Sequence, residues 1–306
     1  MGEVALIEGV RLRVGAALFA RVAGERGPAQ RDRIHNRPGD RWFAPDSAIH
    51  QVHGDASMFV GGLRALLLQS LHPGAMAAVA AHSGYLGDPW GRLERTSTFL
   101  AMTTFGAADD AAAIVAHVRS VHERISGVTP EGLAYAASDP HLLRWVHVAE
   151  ADSFLAAHQR YGDKPLDRAG CDRYVADVAV VGEHLGVIDP PRTYAQLKAE
   201  IEAYRPELAE TPAAREAARF ILLRPPVPWV ALPPYTALTG AAVGLLPRWA
   251  RKPLGLPYLP PSRRPSCGRA GTRSRRSFVG RWRPQHDLTG PYRTFVRSGP
   301  RFSMPS

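Results

Sequence analysis

Cysteine is almost missing from this chain of 306 residues. Cys171 and Cys267 are the two present, too few for a disulfide framework or a multi-cysteine zinc site. A reducing, cytoplasmic setting is the expectation that follows. Alternating β-branched runs are scarce, so little in the chain asks for a sheet. The patterns G-x-G-x-x-G, Walker A, G-x-S-x-G, H-E-x-x-H and E-x-x-H are absent, which removes dinucleotide, P-loop, serine-hydrolase and zincin chemistry from first consideration. The N-terminus carries Glu3 and Glu8 and has no long uncharged core, unlike a secretory signal. No internal repeat is visible.

A long unbroken apolar run is also missing. The best candidate, residues 225–247, has prolines at 225, 226, 228, 233 and 234. Proline breaks a helix interior, and the intact remainder, about Tyr235 to Leu246, is too short to span a bilayer at roughly 1.5 Å per residue.

Charge is present but unevenly placed. The formal net charge is +10, yet residues 259–306 alone hold 11 arginines and one acid, Asp287. The other residues carry 27 basic and 27 acidic side chains, so the body is neutral and offers no specific nucleic-acid footprint. A basic tail can meet anionic lipid, and residues 1–24, with arginines flanking a partly helical apolar face, suit either a packing helix or a peripheral membrane helix. Peripheral membrane contact stays open on this reading; oligomeric state is not legible.

What is abundant is alanine and helical periodicity, which predicts an all-α fold: a single multi-helix domain. Residues 1–44 read as an amphipathic helix followed by a polar linker over 24–45. Residues 45–258 read as the helical body. Residues 259–306, rich in Arg, Pro, Ser and Gly, cannot bury enough apolar surface to order themselves. They read as a disordered basic tail or as the product of a reading-frame shift, which sequencing the gene past codon 259 distinguishes. Within the body the spacing predicts short helices ending at Gly54 and before His72-Pro73, one stopping at Gly84, and longer ones over about 90–103, 108–125 and 140–162. A short helical turn is expected from Thr129-Pro130-Glu131, and further helices at 168–185, 193–204, 211–223 and 235–250.

Two basic clusters lie about one helix length apart. In the second, Ile114, Val118, Val121 and Ile125 form an apolar stripe, with His122 at its inner edge and Arg119 on the flank. Such a histidine is either an iron or haem ligand or a half-buried imidazole bonded to a backbone carbonyl. In the first, Arg92, Arg95 and Thr96 share a helix face and need a bound anion or carboxylates; a solvated face with Asp88 and Glu94 is the blander account. His147 sits on a helix rich in aromatic residues, His72 at a helix break. His50 and His53, three apart on a short helix, would need a third ligand to hold a metal. Gly61-Gly62 suits a close approach to another helix or to a cofactor.

The runs GGLRALLLQSLHPGAMAAVAAHS, DPWGRLERTSTFLAMTTFG, VRSVHERISG and DPHLLRWVHVAEADSFLAAHQRYG, in that order, resemble the catalytic domain of the MpaB-type oxygenases and rubber oxygenases (latex clearing proteins). The resemblance covers about residues 45–258 and implies a loosely globin-like helical fold and, in the rubber oxygenases, haem b. It implies His122 as the axial iron ligand within an Arg-x-x-His motif with Arg119; His147, on which no family motif falls, is a further candidate for the cofactor-binding set. It also implies Arg92, Arg95 and Thr96 as the distal catalytic group. There Arg95 replaces a lysine, and arginine, always charged, cannot ligate iron. The implied function is a haem-dependent oxygenase that takes dioxygen and an apolar, isoprenoid or lipid-like substrate, with oxidative cleavage of a carbon–carbon double bond as the reaction. The competing reading is a non-catalytic helical protein that binds lipid or haem, membrane-peripheral or not.

Overall fold

The computed structural model describes residues 27–84 and 86–256. Among these, twelve α-helices account for the body: α1 (Gly27–Asn36), α2 (Ala48–His53), α3 (Met58–Gln69), α4 (Pro73–His82), α5 (Pro89–Phe105), α6 (Ala108–His122), α7 (Pro140–Tyr161), α8 (Arg168–Leu185), α9 (Tyr194–Ala203), α10 (Pro212–Leu223), α11 (Leu232–Leu245) and α12 (Arg248–Arg251). The all-α expectation holds, with one small exception, a hairpin of β1 (Ser126–Val128) and β2 (Ala134–Ala136). The N-terminal helix and the tail from 259 read in the sequence lie outside the described residues. No described helix is long and apolar enough to cross a membrane.

Local chemistry sets many helix starts. Asp88, Asp139 and Thr211 each precede a proline and accept a backbone N–H from the first turn: Gly91 at 2.9 Å, His141 at 2.9 Å and Ala214 at 3.1 Å. Proline costs nothing there, because the first N–H groups of a helix have no partner inside it. Asp167 caps α8 through Gly170 N at 2.6 Å, and Gly186, at φ 100°, closes it in the left-handed conformation that glycine adopts without strain.

The centre is the α3–α7 pair. A Cβ on Gly61 would lie 2.7 Å from Phe154 Cδ1 and 2.9 Å from its Cα, so the helices approach as closely as they do only because that residue is glycine. The adjacent turn is pinned by charge: Arg64 donates to Asp152 Oδ2 at 2.7 Å and to Ser153 Oγ at 2.6 Å. α11 covers α3, α8 and α9 flank α7, α2 lies on α8, and α5 and α6 pair with each other. Trp145, Tyr174, Ile49, Leu67, Leu155, Leu197 and Ile201 are fully buried between them, each contributing about 1.5–3 kcal/mol of apolar transfer energy.

Four local expectations are corrected. Part of the segment read as a polar linker folds as α1. Its sequence has no apolar stripe, but Ile34 is buried and Arg33 donates to Asp110 of α6 at 3.1 and 2.6 Å, joined there by Arg37. The turn after Thr129 is a hairpin, not helix: Ser126 pairs with Ala136 and Gly127 with Tyr135. A Cβ on Gly127 would meet the Tyr135 hydroxyl at 2.6 Å, and Gly132 turns the chain at φ 87°. Helix α6 consequently ends at His122 rather than Ile125. The helix expected over 235–250 splits at Leu246-Pro247, where Pro247 has no N–H to continue the ladder and Leu246 is extended.

Candidate functional site

α2, α5, α6, α7 and α8 enclose a cavity of about 90 Å³. Its walls are mostly apolar, including Phe99, Leu100, Leu143, Val146 and Phe154, and into them are set His53, His122, His147, Glu150 and Tyr174. Gly182 makes the α7–α8 wall possible: a Cβ there would lie 2.9 Å from Cε1 and Nδ1 of His147. A wider depression of about 330 Å³ at Arg144, Glu183 and Arg192 is open to solvent. Four of its charges form two pairs, Arg144 with Glu200 at 2.6 Å and Arg192 with Glu183, so it is a poorer place for chemistry.

The cavity's polar groups fall into two kinds. His53 is committed: its Nδ1 meets Thr104 Oγ1 at 2.8 Å and its Nε2 meets Tyr174 Oη at 3.2 Å. Burial, helped by His50 and His158, pulls its pKa down to about 3. The side chains of His122, His147 and Glu150 make no hydrogen bond among the described residues, and His122 Nδ1 and His147 Nε2 are buried without partners. Burial lowers the pKa of His122. Burial, with Arg144 adding repulsion, brings His147 to about 4, so both imidazoles are neutral at physiological pH, the form that ligates metals. Burial pushes the Glu150 carboxyl up to about 7, leaving it on the edge of protonation.

His122 and His147, named from the sequence, are thus brought to one cavity. The other named residues lie outside its walls. Arg119 is exposed and reaches His184 O at 3.4 Å. Arg92 donates to Ser83 Oγ at 2.6 Å. Thr96 Oγ1 donates to Arg92 O at 3.0 Å. Arg95 pairs with Asp88 at 3.4 Å on the surface, as a solvated face would have it. Spaced 4, 3 and 4 apart, Arg92, Thr96, Phe99 and Thr103 nevertheless form one stripe of α5, whose last two members line the cavity. The arginines therefore sit one to two turns outward of it. His50 bonds Thr104 O at 2.8 Å while His53 is committed as above, so the pair does not converge on a metal. Gly61 serves helix approach, to α7.

Sequence reasoning missed Glu150. Its signal was legible: one acid in the otherwise apolar run Trp145-Val146-His147-Val148-Ala149-Glu150, one turn from His147. Also missed was a contact of His72 with His141 and Glu207, which spacing along the chain does not announce.

Helical walls around a mostly apolar, histidine-bearing cavity define a cofactor- or ligand-holding helical protein, and comparison with known proteins narrows that class. Residues 50–276 match the family described as ER-bound oxygenase mpaB/B'/Rubber oxygenase, catalytic domain, and the chain belongs to that family. Uncharacterized proteins of Mycobacterium bovis and Mycobacterium tuberculosis are each 32% identical to it over 100 residues, covering 32% of this chain and 38% of theirs. No solved structure matches.

Proposed function

We propose that this chain is a haem-dependent oxygenase acting on an apolar, isoprenoid or lipid-like substrate, with His122 as the iron ligand. The single observation that carries the reading is the pair of buried imidazoles, His122 and His147, left without side-chain hydrogen-bond partners in the wall of an apolar cavity. A buried, unpaired imidazole nitrogen costs about 1–3 kcal/mol, which ligation of a metal offsets. In donor chemistry the site fits a haem iron. In room it is tight, since about 90 Å³ holds roughly three waters at about 30 Å³ each. Admitting a porphyrin requires α5, which packs mainly on α6, α2 and α1, to move away from α7.

Bound haem would supply the iron at which dioxygen is activated. The chain's own residues do the rest. Phe99, Leu100, Leu143 and Val146 exclude water and accept an apolar substrate. Tyr174 and Thr104 hold His53 in one orientation. Glu150 keeps or releases a proton at its carboxyl oxygen near neutral pH. Arg92 and Thr96 stand on the α5 stripe leading outward, placed for an anionic edge of the cofactor.

A second reading, a lipid or haem carrier without turnover, is favoured by the position of Arg92, Arg95 and Thr96 outside the cavity wall. Haem titration of wild type, His122→Ala and His147→Ala, followed by oxygen uptake with a polyisoprenoid or a fatty acyl substrate, separates the two. The oxygenase reading expects a Soret band lost in His122→Ala and uptake that depends on substrate. A Soret band without uptake supports the carrier. Unchanged haem binding in His122→Ala removes His122 as the ligand.

A further inference from the structure

The first turn of α7 carries a second constellation, away from the cavity. His72, at the N-terminus of α4, His141, in the first turn of α7, and Glu207, on the short 3-10 segment Arg205–Glu207, each offer a ligand atom within 4.8 Å of the others. Glu207 Oε2 lies 2.7 Å from His141 Nε2 and 3.7 Å from His72 Nε2. Zinc bonds of about 2.0–2.1 Å in tetrahedral geometry put neighbouring ligand atoms roughly 3.3 Å apart, between the two observed separations. Changes of about 0.6 and 0.4 Å would bring both to that spacing, and the His72 and His141 ligand atoms, within 4.8 Å of each other, would close by side-chain rotation.

Two further observations point to a ligand. His72 Nε2 is buried and has no hydrogen-bond partner among the described residues, although it faces this cluster. Tyr204 Oη lies 3.3 Å from His141 Nδ1 and donates its own proton to His141 O at 2.8 Å. The hydroxyl oxygen is therefore free to accept Nδ1–H. Without a cation, His141 Nε2–H donates to Glu207 Oε2 at 2.7 Å; moving the ring proton to Nδ1, where Tyr204 Oη accepts it, would free the Nε2 lone pair for a metal, as the outer contacts of ligating histidines do.

We propose that His72 Nε2, His141 Nε2 and the Glu207 carboxylate form a binding site for a divalent first-row transition cation of zinc type, with water completing its shell. The site ties the 3-10 segment to the starts of α4 and α7. It is independent of the oxygenase cavity, whose α7 residues are Leu143, Val146, His147, Glu150, Ala151 and Phe154. Two features restrain its affinity. Two helix N-termini point positive dipole ends toward it, offset by Glu207 and Asp139. Ligation through His72 Nε2 also moves that ring's proton to Nδ1 and so gives up the 3.4 Å bond from Ala75 N.

The test is Zn²⁺ titration of the untagged, haem-free full chain by calorimetry, with thermal melting alongside and Mg²⁺ as control. One saturable Zn²⁺ site is expected, with a raised Tm and no response to Mg²⁺. His141→Ala and Glu207→Gln should abolish both signals. Tyr204→Phe should weaken binding about 10–100-fold, and His117→Ala, on an exposed face, should leave it unchanged. His72→Asn retains a capping oxygen, and its loss of Zn²⁺ binding with a wild-type Tm in the absence of metal supports ligation by His72. Binding that persists in His141→Ala and Glu207→Gln, or no saturable binding at all, overturns the site. Loss of haem binding with Zn²⁺ binding intact would count against the oxygenase reading alone.

Discussion

Two carboxylates two residues apart on α7 live in opposite electrostatic worlds. Asp152 points to the α3 and α9 side, where Arg64 donates at 2.7 Å and Lys198 at 2.9 Å. Burial alone would raise its pKa, but the two cations outweigh that and bring it down to about 2. Glu150 points to the cavity, finds no cation, and rises to about 7 through burial alone. Desolvation acts on both; the partner decides the sign. One face of α7 is therefore a fixed, fully ionised joint, and the other keeps a group whose charge can change. Stability and chemistry are divided between faces of a single helix.

The comparison breaks most visibly at the joint. Asp152→Ala leaves Arg64 buried without its counter-ion and should lower unfolding free energy by about 3–5 kcal/mol, measured by denaturant titration. The sign with pH follows from the depressed pKa. The contribution is present above the unfolded value near 3.8 and is lost as pH falls through about 2. A loss under 1 kcal/mol would mean that the ion pair is incidental.

At the cavity the sign reverses. The raised Glu150 pKa costs nothing below its unfolded value near 4.5, and the cost grows until pH passes about 7. Glu150→Gln should therefore stabilise the cofactor-free protein above neutral pH, by an amount of the order of 3 kcal/mol. Variant and wild type should converge in acid. Equal stabilities at about pH 8 would show that Glu150 reaches water or a partner.

Packing should follow the same division. Gly61→Ala forces α3 and α7 apart and should cost about 1–3 kcal/mol. Thr103→Ala, in the cavity wall, should cost less than about 1.5 kcal/mol; a reversed order would place the rigid contact on the cavity side. The smallest effect is expected from Tyr174→Phe, which removes one partner of His53. A loss of about 1 kcal/mol, with the His53 imidazole still neutral by NMR titration, would show that burial keeps the ring uncharged.

Much of the architecture was legible from local chemistry. Asp88-Pro89, Asp139-Pro140 and the closing glycines at 54 and 162 are short-range signals, and the corresponding helix ends fall within a residue or two of where spacing places them. His122 was readable because it sits beside an apolar stripe. Arg92, Arg95 and Thr96 illustrate the opposite case: sharing a helix face is a local fact, but whether that face reaches a cavity depends on how α5 lies against its neighbours. Segment 27–36 carries no apolar pattern and folds through Arg33 and Ile34, with Arg37 just beyond it, contacts with partners far along the chain.

By itself, the sequence settled the helical class, most helix ends and the membership in an oxygenase family, because periodicity, capping residues and motif order are properties of neighbouring positions. Only the tertiary structure decided that His147 and Glu150 share a cavity with His122, that Asp152 is paired where Glu150 is not, and that His72 meets His141 and Glu207. Those facts depend on which helices lie side by side, and burial and charge act through space rather than along the chain.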